Sequence, residues 1–212
     1  MRNTYDQFNW SLRRRVLLAT ARFCELNGIT NGYYFEFGCH RARTFRLAYD
    51  AFNPLYNFTY VAFDSFAGLP DVKGIDVHGD LWYCGQMKTS EAEFKAICKR
   101  HGIPERKYRT VKGFYADTLT AELAAELAPL RAAIVYIDCD LYASTVPVLN
   151  FVKDFLQPGT VIIFDDWFLY FGDPNRGEQR AFAEFCAANP RLRFEPLFAN
   201  HEHKSFVYIG ET

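Results

Sequence analysis

The chain lacks an apolar run long enough to span a bilayer, an excess of charge of one sign, and any cysteine spacing suited to a metal or a disulfide framework. Each absence excludes something. In 212 residues, 24 Lys and Arg stand against 25 Asp and Glu, a formal net charge of -1, which argues against the broad basic footprint of a nucleic-acid-binding protein and favours a small-molecule partner. No stretch has the roughly 18 or more apolar residues of a membrane span. Arg13-Arg14-Arg15 ahead of Val16 to Ala21 imitates the basic start of a signal peptide. However, Arg22 interrupts the apolar run, and the pattern continues through Phe23 and Leu26 to Gly28 as an amphipathic helix with a glycine stop. Cys24, Cys39, Cys84, Cys98, Cys139 and Cys186 contain no CxxC pair, so reduced thiols and a cytoplasmic location are expected. Phosphate-binding signatures are missing too, with neither GxxxxGK[ST] nor a complete GxGxxG. There is no internal repeat or low-complexity tract.

What is present is the composition of an ordered globular protein: 50% hydrophobic and 23% charged residues, with an unusually high 17% aromatic content. Most of those aromatics are expected in the core, and some along a cleft. The pattern divides into an N-terminal helical segment, residues 1–30, and a single domain, residues 31–212. Strands are expected near Tyr33 to Phe37, Thr59 to Phe63, Tyr108 to Lys112, Ala132 to Ile137, Thr160 to Phe164, Leu192 to Leu197 and Ser205 to Ile209. Helices are expected near Ala42 to Phe52, Glu91 to His101, Thr120 to Leu127, Thr145 to Leu156 and Asn175 to Ala188. Ser90 and Glu93 are spaced as a capping box, and Ser144 or Thr145 is placed to cap the following helix, with Pro147 in its first turn. Strand–helix alternation predicts an α/β fold: a seven-stranded, mostly parallel sheet with helices on both faces and a C-terminal antiparallel hairpin. The long connection Ser65 to Lys88, which carries Phe66, Trp82, Tyr83 and Met87, is expected to be a lid over an apolar ligand, with a partner-binding or merely irregular loop as the alternative.

In such sheets ligands bind beyond the carboxyl ends of the strands. The first strand ends in Glu36-Phe37-Gly38-Cys39-His40 and the second in Asp64. Gly38 permits close backbone approach, and a carboxylate at Asp64 can accept both hydroxyl protons of a ribose. Two later runs, Tyr136 to Tyr142 and Val161 to Trp167, end in paired carboxylates: Asp138 and Asp140, then Asp165 and Asp166. Like charges about 4 Å apart repel by about 4 kcal/mol at an effective dielectric of about 20. The groups must take up protons or hold a cation, and an all-oxygen set suits a hard divalent ion such as Mg2+. Cys139, alternating with its neighbours, is expected to point the other way into apolar packing.

Four motifs occur in order between Tyr33 and Trp167: Asp64-Ser65-Phe66-Ala67-Gly68-Leu69-Pro70, Lys112-Gly113-Phe114-Tyr115-Ala116-Asp117-Thr118-Leu119, Ile137-Asp138-Cys139-Asp140-Leu141-Tyr142 and Asp165-Asp166-Trp167. Together they resemble the macrocin O-methyltransferase family. The resemblance implies a Rossmann-like class I methyltransferase fold and an S-adenosylmethionine-dependent O-methyltransferase that acts on a small-molecule hydroxyl, a vicinal diol or a sugar- or catechol-like acceptor of secondary metabolism. It places Glu36 and Gly38 beside the methionine part of the cofactor, Asp64 on its ribose, and Ser65 and Asp117 around the ribose and adenine. Asp138, Asp165 and Asp166 match the family's divalent-metal ligands, described with magnesium. Asp138 also borders the cofactor and stands where a base would accept the substrate proton, which leaves Asp140 as a structural carboxylate.

The chain departs from the family at Ala42-Arg43, where relatives carry small glycines, and is short at the front beside larger members. Self-association is an option. Two other readings compete: a metal-dependent nucleotide-sugar glycosyltransferase using Asp138-Cys139-Asp140 as a DxD motif, and a methyltransferase-like binding protein without catalysis. His201 and His203 are expected on an exposed hairpin turn, and neither they nor His40 and His78 are assigned a role.

Overall fold

The computed structural model describes residues 2–212, with side chains from residue 4 onward. The chain opens with α1 (Arg2–Leu26), then runs β1 (Asn31–Phe37), α2 (Arg43–Phe52), β2 (Asn57–Asp64), α3 (Glu91–His101) and β3 (Tyr108–Lys112). It continues through α4 (Tyr115–Thr118), α5 (Ala121–Leu127), β4 (Ala132–Ile137), α6 (Tyr142–Val152), β5 (Val161–Phe164), α7 (Gly177–Ala188), β6 (Leu192–Ala199) and β7 (Lys204–Glu211). The strands form one sheet in the order β3-β2-β1-β4-β5-β7-β6. The first five are parallel, and β7 is antiparallel to both β5 and β6. This is the mostly parallel sheet with an antiparallel finish that the sequence predicts.

The central strands are buried on both faces, which is why they read as continuous apolar runs. On one face Tyr34, Tyr60, Tyr136 and Ile163 pack against Val16, Leu17, Ala21 and Cys24 of α1 and Phe45 and Phe52 of α2. On the other, Phe35, Phe37, Phe63, Ile137 and Phe164 pack against Val148, Leu149 and Val152 of α6 and Phe182 of α7. Aromatic pairs fill both halves, with Phe37 and Phe63 stacked 4.3 Å apart between ring centroids. Among the described residues no helix is long and apolar enough to cross a membrane.

Two local expectations are corrected. The Ser90 hydroxyl does accept from the Glu93 N–H and caps α3, but α6 starts earlier than predicted, so Ser144, Thr145 and Pro147 lie inside it. Its cap is Asp76, far away in sequence: the carboxylate accepts from Tyr142 N at 2.6 Å and Ala143 N at 3.1 Å. The hairpin turn also folds inward. The Asn200 side chain accepts from the N–H groups of Glu202 and His203, both at 2.7 Å, and His203 is fully buried rather than exposed.

Candidate active site

The parallel ladder runs one residue past the strands. Gly38 N donates to Phe63 O at 3.0 Å, Asp138 N to Phe37 O at 2.8 Å, and Asp165 N to Ile137 O at 2.9 Å. These bonds fix the positions of Gly38, Asp138 and Asp165 along one edge, beside Asp64 at the end of β2. The fit is tight enough to require glycine: a Cβ on Gly38, whose φ is +91°, would stand 1.8 Å from the Asp138 carbonyl oxygen. Period-2 alternation carries Glu36 on the α1 side with Tyr34, and Cys139 on the opposite side with Ile137. Cys139 is buried there, and burial pushes its thiol well above the ordinary range.

A cavity of about 680 Å3 opens at this edge, and its lining includes Glu36, Gly38, Asp64, Ser65, Asp138 and Asp166. Asp64 accepts from Cys39 N at 2.7 Å and Phe66 N at 2.6 Å. One carboxylate therefore ties the β1 and β2 loops together, and each of its oxygens keeps a lone pair. Asp117 sits in α4 and does not line the cavity, whereas its neighbours Phe114, Tyr115 and Ala116 do. Trp82 lines the cavity from the long loop, while Trp167 is packed in the core against Phe164 and Phe206.

The loop across the cavity is fastened along its length. Leu69 N donates to Gln86 O and Gly85 N to Leu69 O, closing the loop on itself. Asp76 caps α6, and the Arg176 guanidinium donates to Ile75 O at 3.0 and 2.6 Å. The Tyr170 hydroxyl bridges the Asp76 and Asp140 carbonyls at 3.3 and 3.2 Å. At the far end, Thr89 Oγ1 meets His40 Nδ1 at 2.8 Å.

Three carboxylates converge. Asp138, Asp140 and Asp166 each present an oxygen within 4.8 Å of the others. Asp140 reaches this position through a left-handed backbone, φ +59°, and its N–H donates to the Asp166 carboxylate at 3.1 Å. The sequence groups Asp165 with Asp138 and Asp166 and sets Asp140 apart; in the structure Asp140 converges with Asp138 and Asp166, and Asp165 lines the same cavity while pairing with Arg13. Arg13 of α1 donates to both Asp165 oxygens, Nε at 3.1 Å and Nη2 at 2.5 Å. His203 Nε2 lies 2.7 Å from Asp165 Oδ1, and the Tyr136 hydroxyl donates to the same oxygen.

The charges follow from this geometry. Burial raises the pKa of Asp138, Asp140 and Asp166 well above the carboxylate range, and their acidic neighbours push the same way. Burial acts equally on Asp165, but Arg13 and His203 outweigh it and hold its carboxyl below the ordinary range. Glu178 is buried behind the trio, where one oxygen accepts from Asp166 N at 3.1 Å and the other has no partner among the described residues.

The donor set suits a divalent cation. Metal–oxygen distances of about 2.1–2.6 Å put ligand oxygens at most about 5 Å apart. The trio meets that limit, and the unpartnered Glu178 oxygen marks a region short of positive charge. Of the residues that build this arrangement, Arg13 is missed by the sequence reading, and the signal that could have found it is its register with the buried stripe Val16, Leu17, Thr20, Ala21 and Cys24. Asp76, Glu178 and His203 gave no sequence signal, because their partners are distant in the chain.

A family model described as macrocin-O-methyltransferase (TylF) matches residues 44–189. The 8-demethyl-8-(2,3-dimethoxy-alpha-L-rhamnosyl)-tetracenomycin-C 4'-O-methyltransferase of Streptomyces olivaceus is 31% identical over 110 residues, 49% of this chain and 40% of its own length. The mycinamicin III 3''-O-methyltransferase of Micromonospora griseorubida is 29% identical over 136 residues, 61% of this chain and 50% of its own length. These matches thus span half or less of the relatives' length. Among solved structures, the O-methyltransferase NovP superposes with a TM-score of 0.71 at 20% identity, over 93% of this chain and 79% of that one. CalS11, a calicheamicin methyltransferase, gives 0.70 at 24% identity, over 91% of this chain and 78% of that one. Both likenesses are of fold.

Proposed function

The chain belongs to the macrocin O-methyltransferase family, and from that premise we propose that it transfers a methyl group from S-adenosylmethionine to a hydroxyl oxygen of a small molecule, with a divalent cation held among the carboxylates Asp138, Asp165 and Asp166, beside Asp140. The observation that carries the proposal is the shared cavity, in which the strand-end residues Gly38, Asp64 and Asp138 face one space. Asp64 has lone pairs left for two ribose hydroxyls after serving Cys39 N and Phe66 N. Gly38 lets the cofactor approach the backbone, Glu36 lies at the methionine end, and Ser65, Phe114 and Ala116 border the adenosine end. Asp117 supports that border from α4.

S-adenosylmethionine supplies the electrophilic methyl, and a divalent cation such as Mg2+ polarises neighbouring acceptor hydroxyls. As a methyl passed from the sulfonium of a bound S-adenosylmethionine to the acceptor oxygen, leaving S-adenosylhomocysteine, a carboxylate oxygen of Asp138 would take the hydroxyl proton. The loop pinned at Asp76 and Thr89 excludes water and fixes the acceptor in line. The relatives are named for O-methylation of a rhamnosyl-tetracenomycin and of mycinamicin III, so a sugar carrying adjacent hydroxyls is the acceptor class of choice. Asp138→Asn is expected to keep S-adenosylmethionine binding within a few-fold and to lower S-adenosylhomocysteine release with a rhamnoside acceptor by about 100-fold or more. Full turnover in that variant would contradict the assignment.

A further inference from the structure

Arg43 is the cavity residue that the proposed reaction leaves without a task. It opens α2 shortly after the Gly38 turn, where the sequence departs from the glycines of the family it resembles. The chain leading to it is firmly set. Arg41 and Ala42 both have left-handed backbones, φ +55° and +49°, the Arg41 N–H donates to Thr89 Oγ1 at 3.1 Å, and the Arg43 N–H donates to His40 O. This fixed turn delivers the Arg43 side chain to the cavity wall.

Within α2 the residue is out of place. The helix has no side-chain cap and no acid in its first turn, so Arg43 sets a full positive charge at the positive end of the helix dipole. Nor does a neighbour account for it. The basic side chains of the cavity lining are Arg13, His40 and Arg43. Arg13 is committed to Asp165, and His40 meets Thr89 Oγ1 with its pKa lowered by burial. Among the described residues of the lining, Arg43 is the cation without a carboxylate partner. The other charged side chains there are acids. Such a cavity attracts positive groups throughout, but it offers an anionic group one place.

We propose that Arg43 is a cofactor-binding residue that takes the α-carboxylate of the methionine moiety of S-adenosylmethionine. The inference rests on the methyl-donor reading above. The donor carries two positive centres, its sulfonium and its α-ammonium, and one negative centre. The acidic lining suits the first two as a whole, whereas the carboxylate needs a cation, and Arg43 follows the β1 turn that the same reading sets beside the methionine end. A guanidinium meets a carboxylate with two parallel N–H donors. Donor binding then neutralises the charge that disfavours the start of α2.

Equilibrium dialysis of the full chain tests the contact, with S-adenosylmethionine and with S-adenosylmethioninamine, which lacks only the carboxylate. Arg43→Ala is expected to weaken S-adenosylmethionine binding by about tenfold. The same variant should leave S-adenosylmethioninamine binding unchanged or tighter, since a repulsive charge is removed. Arg43→Lys keeps the charge but not the fork, and should recover part of the loss. Arg43→Glu suits the helix dipole and repels the carboxylate, so the melting temperature without ligand should rise while S-adenosylmethionine binding falls at least as far as in Arg43→Ala. Equal weakening of both ligands in Arg43→Ala, or an unchanged affinity for S-adenosylmethionine, overturns the role of Arg43. Failure of the unaltered chain to bind either ligand overturns the methyl-donor reading itself.

Discussion

Glu36 is 1% exposed, accepts from the Tyr34 hydroxyl at 2.5 Å, and stands on the same sheet face as Asp165. Burial lifts its pKa from 4.5 to about 8, more than Tyr34 and Arg13 lower it. Because the folded value lies above the unfolded one, the stability contributed by the protonated group is complete below about 4.5 and is lost as pH rises through about 8. The melting temperature of the protein without ligands should therefore fall between about pH 5 and pH 8 and level off above it. Glu36→Gln, neutral throughout, should flatten that slope; an equal slope in the variant would refute the assignment. Burial governs the cysteines in the same way. Cys24 and Cys98 are buried thiols pushed up to about 12, whereas Cys84 is exposed. Mass spectrometry after brief iodoacetamide treatment at pH 8 should find the first adduct on Cys84, and early labelling of Cys24 or Cys98 would count against this packing.

At the scale of elements, Asp76 joins two parts that the sequence keeps 66 residues apart: the loop over the cavity and the first turn of α6. A lost cap costs about 0.5–2 kcal/mol. With two charged hydrogen bonds going to part-buried amides, Asp76→Ala should lose roughly 1–2 kcal/mol in urea unfolding. Amide exchange should quicken both in residues 65–88 and at Tyr142 and Ala143; acceleration in the loop alone would mean the two are not coupled. Strand–helix alternation, the capping box at Ser90 and the closing hairpin were legible because their causes are local: apolar periodicity and short turns. The start of α6 was not, since a carboxylate from another element caps it. Nor was α4, whose single turn has no amphipathic repeat to declare it.

Across the whole molecule, the strand order brings β2, β1, β4 and β5 to one edge and lets four separate sequence segments share a cavity. The acidic runs were legible as a cluster, because parallel strands ending in carboxylates must crowd them together. Which carboxylates converge was not legible. The left-handed turn at Asp140 and the reach of Arg13 to Asp165 decide that, and both depend on packing between α1, the loop over the cavity and the sheet. Arg13 on α1 and His203 on the hairpin flank Asp165 from opposite ends of the sequence, so the edge is assembled only when the whole chain has folded.

Calorimetry tests most directly whether this edge is a methyl-donor site. Titrating S-adenosylmethionine into the protein with Mg2+ present should give saturable binding at one site per chain, weakened by about tenfold or more in Asp64→Ala through loss of the ribose acceptor, while a nucleotide sugar gives no heat of binding. No binding of S-adenosylmethionine together with saturable binding of the nucleotide sugar would contradict it.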